Sequence, residues 1–150
     1  MNRRQTMKNM DDTSVPVFRD NQLVGNVGLY YICYELSRLG WNVLPTSRNA
    51  RGIDLVVYSR DAERKHTIQI KSLSKKNPVP VGTKLDGLIA EYLIVCTKVF
   101  NEKPEVFVMR IDAIKSRIHE GTKNGRKSYW LQPKSYEEFK DNWGIIGKGS

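Results

Sequence analysis

The segment Gly52–Ser72, GIDLVVYSRDAERKHTIQIKS, constrains this chain more than any other. It holds two apolar runs of strand length, GIDLVVYS and HTIQIKS, divided by the charged turn RDAERK. Both runs alternate. Ile53, Leu55 and Val57 fall on one face of the first, Asp54 and Val56 on the other. Ile68 and Ile70 share one face of the second, so Gln69 and Lys71 point together to the opposite face. A period of two over both runs demands neighbouring strands in a sheet. It also sets three polar side chains, Asp54, Gln69 and Lys71, where they can meet.

The rest of the chain supplies partners for such a sheet. The spacing of Leu29, Ile32, Cys33, Leu36 and Leu39 predicts a helix from Asn21, as its cap, to Leu39, stopped by Gly40. WNVLPTS follows as a short strand, and Pro45 places it at an edge or near the strand's end. LSKKNPVPVGTK reads as a loop, and Leu85–Ala90 as a short helical piece. EYLIVCTKVF holds a continuous apolar run of strand length, as a central buried strand should, and EVFVMRI is another strand. DAIKSRIHEG reads as a helix from Asp112 to Gly121 and KSYWLQP as a short strand or extended segment. SYEEFKDNWGII reads as a final helix with Ser135 and Glu138 in capping-box spacing. The expectation is a mixed α/β domain, a sheet flanked by helices, over residues 15–146. A loose tail (1–14) and a frayed end (147–150) flank it.

Composition narrows the classes. A chain of 150 residues suits one domain, which buries roughly 70% of its unfolded surface and needs no staples. With 39% hydrophobic residues and a mean hydropathy of −0.52 it reads as globular. No apolar run approaches the ~20 residues of a membrane span, and MNRRQTMKNMDDTS lacks the apolar core of a secretory signal, so a cytoplasmic protein without a membrane partner is expected. Cys33 and Cys96 sit in apolar runs as reduced thiols, and His66 and His119 have no zinc-ligand spacing to them. The net charge of +9 and pI near 9.6 favour a polyanionic partner, nucleic acid above all.

Taken singly, Asp54 reads as a strand-edge acid, Gln69 as a satisfied polar group and Lys71 as a snorkelling cation. Together they have a chemistry. Phosphodiester hydrolysis calls for a divalent ion, because the attacking and leaving oxygens both need charge stabilisation. Magnesium takes oxygen ligands, usually one or two carboxylates with waters. Asp54 offers a carboxylate, Gln69 an amide oxygen and Ile70 a main-chain carbonyl. Lys71 would hold the attacking water or offset charge on the phosphate.

On these residues GIDLVV…HTIQIKS resembles the core of the PD-(D/E)XK nucleases, the superfamily of restriction endonucleases and archaeal Holliday-junction resolvases. Asp54 matches its first acid. Gln69, Ile70 and Lys71 match its second half, in the Gln-x-Lys form of type IV restriction enzymes. Gly40, Trp41, Asn49 and Gly52 resemble the approach to that acid. The resemblance runs from Gly25 to Ser72. It implies a restriction-endonuclease-like α-β-β-β-α-β core and magnesium-dependent DNA cleavage, with manganese as a substitute. Double-stranded or branched DNA would be the substrate, in a restriction, repair or mobile-element setting. Many such proteins act in pairs, which allows a homodimer.

One position departs from the family. Many relatives carry a glutamate on the first helix, where this chain has Leu29. Glu35, the only acid between Asn21 and Leu39, lies two turns on and about 120° around. It is a catalytic candidate if the helix turns it inward. Otherwise the domain would be a weak or inactive nuclease-like nucleic-acid-binding module. Arg48, Asn49 and Arg51 before the Asp54 strand, and Lys75 and Lys76 after Lys71, are candidate DNA contacts. Lys123, Arg126 and Lys127 form a further basic turn beside Tyr129 and Trp130, and Tyr30, Tyr31 and Tyr34 read as packing residues.

Overall fold

The computed structural model describes residues 20–47 and 51–150. Helix α1, Asn21–Arg38, is capped by Asp20, whose Oδ1 accepts from the Leu23 N–H at 2.7 Å. Asn21, the expected cap, is the first helical residue instead. The helix ends as Gly40 directs. At φ +89° the glycine turns the chain, the Trp41 N–H returns to Leu36 O at 3.2 Å and the Gly40 N–H to Ser37 O at 3.0 Å.

Among the described residues eight strands follow in two sheets. The first has the order β1-β2-β3-β5-β6, with β1 at Asn42–Pro45, β2 at Leu55–Tyr58, β3 at Lys65–Ser72, β5 at Tyr92–Thr97 and β6 at Glu105–Arg110. Neighbours are antiparallel except β3 and β5, which run parallel. Pro45 lies on the edge strand, where its missing N–H costs no ladder bond. Strand β5 is buried along its whole length because both faces of the sheet are covered. Its Ile94 and Cys96 meet α1, Leu36, Leu55, Val57 and Ile68, while Leu93 and Val95 enter a second core with Phe107, Met109, Leu131 and Tyr136.

The second sheet, order β4-β8-β7, covers that second core. It holds β4 at Val79–Gly82, β7 at His119–Lys123 and β8 at Arg126–Leu131. Several expectations fail here. The segment read as a loop contains β4, whose Val79 and Val81 are buried while Pro80 and Gly82 face out. Pro80 escapes penalty because β4 is an edge strand. The helix expected over 112–121 stops early: α2 is Ile111–Ile114, a 3-10 turn covers Lys115–Arg117, and His119–Gly121 are drawn into β7. Pairing with β8 outweighs their helical spacing. The last helix shrinks to α3, Pro133–Tyr136, and two 3-10 turns, and Ser135 caps nothing because Pro133 begins the helix. No α-helix carries the β3-to-β5 crossover, which is built from β4 and the 3-10 turn Leu85–Gly87.

The chain end is not frayed. The Gly149 N–H donates to Leu39 O at 3.0 Å, the Arg60 N–H to Gly149 O at 2.8 Å, and Trp41 Nε1 to Gly147 O at 2.9 Å. These bonds tie residues 147–149 to the end of α1 and to the β2–β3 turn. The tail expected over 1–14 lies outside the described residues. No helix among the described residues is long and apolar enough to cross a membrane.

Candidate functional site

Strand β2 starts at Leu55, opposite Ile68. One residue earlier the backbone of Asp54 is held from both sides. Its N–H donates to Ile68 O at 2.9 Å, and its carbonyl accepts from the Thr46 N–H at 2.9 Å. The Thr46 hydroxyl also donates to Ile53 O at 2.6 Å. The chain bends here, so Ile53 leaves the face expected for it and packs into the second core, while Leu55 and Val57 stay in the first.

The Asp54 side chain then takes over the ladder. Its Oδ2 accepts from the Ile70 N–H at 2.6 Å. The N–H and C=O of one strand residue point to the same side, so the Ile70 carbonyl also faces the Asp54 edge of β3. The register sets Gln69 beside Leu93 and Lys71 beside Val95, so both side chains leave the sheet on the face of the second core. Gln69 Oε1 is buried and has no hydrogen-bond partner. An acceptor buried in that state costs about 1–3 kcal/mol unless something donates to it. Lys71 has no ion pair among the described residues.

The Asp54 carboxylate thus meets β3 at Ile70, the residue between Gln69 and Lys71. A donor set of one carboxylate, one amide oxygen and one carbonyl suits a hard cation that keeps several waters. It does not suit a soft metal. No group of three or more His, Cys, Asp or Glu side chains among the described residues is placed to hold a metal.

Helix α1 fixes the end of this strand. A Cβ built on Gly28 would lie 1.9 Å from Ser72 Oγ and 2.6 Å from Ser72 Cβ. Only a bare backbone lets the helix sit this close to the residue that follows Lys71. Leu29, the next residue, packs into the first core.

No protein-family model matches the chain, and no curated protein matches it significantly by sequence. Among solved structures it is similar to the bacterial homing endonuclease I-Ssp6803I, with a TM-score of 0.56 at 15% identity, over 85% of this chain and 93% of that one. The two share a fold. At that identity the match speaks for the architecture, a mixed sheet flanked by helices with a second sheet beside it.

The remaining candidates divide. Arg51 lines a cleft of about 300 Å³ with Gln69, and Gly52, Thr83, Lys84 and Asp86 are among the other residues of its wall. Lys84 and Asp86 were missed in the sequence, because nothing there places the crossover against β3. Glu35 lies elsewhere. It pairs with Arg38 at 3.5 Å and lines a different cleft with Tyr31, Tyr34, Lys103 and Asp141. From Gly28 it is about 10 Å further along the helix axis. Lys76 is engaged by Glu137 at 2.5 Å, and Lys75 is exposed. Arg48 and Asn49 lie outside the described residues. Both cysteines are free thiols, and burial pushes the Cys96 thiol up to about 12, so neither is poised for chemistry.

Proposed function

We propose that this protein is a magnesium-dependent DNA endonuclease of the PD-(D/E)XK type in its Gln-x-Lys form. The observation that carries the reading is the Asp54 carboxylate bonded at 2.6 Å to the main chain of Ile70, between Gln69 with its partnerless buried oxygen and Lys71. The likeness to a structure described as a homing endonuclease agrees with it.

Asp54, Gln69 and the Ile70 carbonyl would hold the ion. When bound, it supplies positive charge to the attacking and leaving oxygens of the phosphodiester. The chain's own residues do the rest. The Ile70 N–H fixes one Asp54 oxygen and so orients the other. Lys71 hydrogen-bonds the attacking water and offsets the charge that grows on the phosphate. Arg51, on the wall of the same cleft, grips a neighbouring phosphate.

Plasmid cleavage in magnesium, with Asp54→Asn beside the wild type, tests the reading. Asn keeps an acceptor for the Ile70 N–H and removes the charge. Cutting should fall by about a hundredfold or more, in line with loss of one preorganised electrostatic group, and a chelator should abolish it. Equal cutting by both proteins would refute it. So would no cutting by the wild type with magnesium or manganese on supercoiled, linear and branched DNA. That second outcome favours a nuclease-like module that binds DNA without cutting it, a reading motivated by Leu29, packed into the first core where many PD-(D/E)XK proteins carry a glutamate.

A further inference from the structure

Strands β7 and β8 form a ribbon whose turn residues, Asn124 and Gly125, stand at φ +53° and +74°. Two positive φ values in sequence make the turn whose twist matches that of the strands. The register pairs Lys123 with Arg126, Gly121 with Ser128 and His119 with Trp130, so these six residues share one face. The other face is occupied. Leu131 and Tyr129 pack into the second core, and Lys127 pairs with Glu120 at 3.2 Å. The first face is therefore the outer one, and Lys123, Arg126, Ser128 and His119 are exposed on it.

Two features of that face call for an anion. Lys123 and Arg126 stand directly opposite each other at the tip, and neither has an ion pair among the described residues. Like charges so placed destabilise a ribbon. The face is also flat. A Cβ on Gly121 would lie 2.5 Å from the Trp130 ring, so the missing side chain lets the indole lie along the ribbon, stacked on His119 at 6.2 Å and 14°.

The ribbon tip joins the site. Lys123, Arg126, Lys127 and Ser128 line a cleft of about 560 Å³ with Thr83. Thr83 also lines the cleft that holds Gln69, Arg51 and Lys84. Basic side chains thus run from Arg51 beside Gln69, over Lys84, to the turn, with Asp86 the acid on the first cleft.

We propose that this ribbon is the element that reads the duplex. Its outer face lies in the major groove, with the scissile phosphodiester of the same duplex at Asp54 and Lys71. This rests on the endonuclease reading above. A major groove about 12 Å wide admits a two-stranded ribbon, and a forked guanidinium suits the paired acceptors of guanine. Arg126 reads a guanine edge, and Lys123 neutralises a phosphate.

The full chain is titrated, in chelator, onto a duplex pool randomised over the footprint, at several salt concentrations. Wild type is compared with Lys123→Ala and Arg126→Ala. Lys123→Ala should weaken binding to all sequences alike and lower the salt slope by about one. Arg126→Ala should erase a guanine preference at one position among the recovered sequences. Thermal midpoints of both should hold or rise, because the opposed cations are relieved, so lost binding is not unfolding. At saturating DNA the cutting rate should persist while KM rises. Unchanged affinity, salt slope and sequence preference in both variants would overturn the proposal. So would tighter binding to single strands than to duplex, or no duplex binding by the wild type. Binding that behaves as described in a protein that never cuts would sink the endonuclease reading alone.

Discussion

Substituting alanine at two glycines of one helix should have opposite effects. Gly25 and Gly28 are one turn apart on α1. In the helix interior each glycine costs about 1 kcal/mol relative to alanine. A Cβ at Gly25 meets nothing within 4 Å, so Gly25→Ala should recover that amount. At Gly28 the same methyl would lie 2.6 Å from Ser72 Cβ, an atom that cannot move without moving β3. Rotation of the Ser72 hydroxyl relieves only the 1.9 Å contact. Overpacking of this kind costs about 1–3 kcal/mol, and a contact this close argues for the upper end. After the helix gain, Gly28→Ala should lose about 2 kcal/mol. For a domain of this size about 2–4 °C accompanies each kcal/mol. Thermal unfolding followed by circular dichroism should thus give a midpoint about 6 °C below wild type for Gly28→Ala and about 3 °C above for Gly25→Ala. Adding Ser72→Gly to Gly28→Ala should restore part of the loss. If Gly28→Ala matches Gly25→Ala, the close docking of α1 on β3 is wrong, and with it the account of how Lys71 is positioned.

Three further outcomes are expected. Glu35→Gln should leave plasmid cutting within about twofold of wild type, because Glu35 lines a different cleft from Gln69; a loss as large as that of Asp54→Asn would place it in the site after all. Removing residues 148–150 deletes the acceptors of Arg60 N–H and Arg64 Nη2 and the donor to Leu39 O, and at about 1 kcal/mol per bond should lower stability by about 2–3 kcal/mol in urea. The Cys96 thiol is raised by burial to about 12 in the folded chain, so the unfolded state loses its proton first as pH rises. That thiol therefore lowers stability between about pH 9 and 12, and the stability of wild type relative to Cys96→Val should fall from pH 8 to pH 10; a constant difference would contradict the buried neutral thiol.

The alternation in Gly52–Ser72 settled by itself that two strands would stand together and that Gln69 and Lys71 would share a face. It worked because a period of two is a local property of the backbone. The all-apolar run of β5 and the stop at Gly40 were legible for the same reason. The short helices were not. DAIKSRIHEG has helical spacing, but Asn124–Gly125 turns the chain so that His119–Lys123 pairs with β8, and a ladder of non-local bonds outweighs a weak local preference. Likewise Val79 and Val81 reveal β4 only once β8 lies beside it. The site divides along the same line. Its residue types and their order on β3 belong to the sequence. The bond from the Ile70 N–H to Asp54, the cleft that joins Gln69 to Arg51 and Lys84, and the placing of Glu35 elsewhere were decided by tertiary structure, because each depends on how separate elements pack.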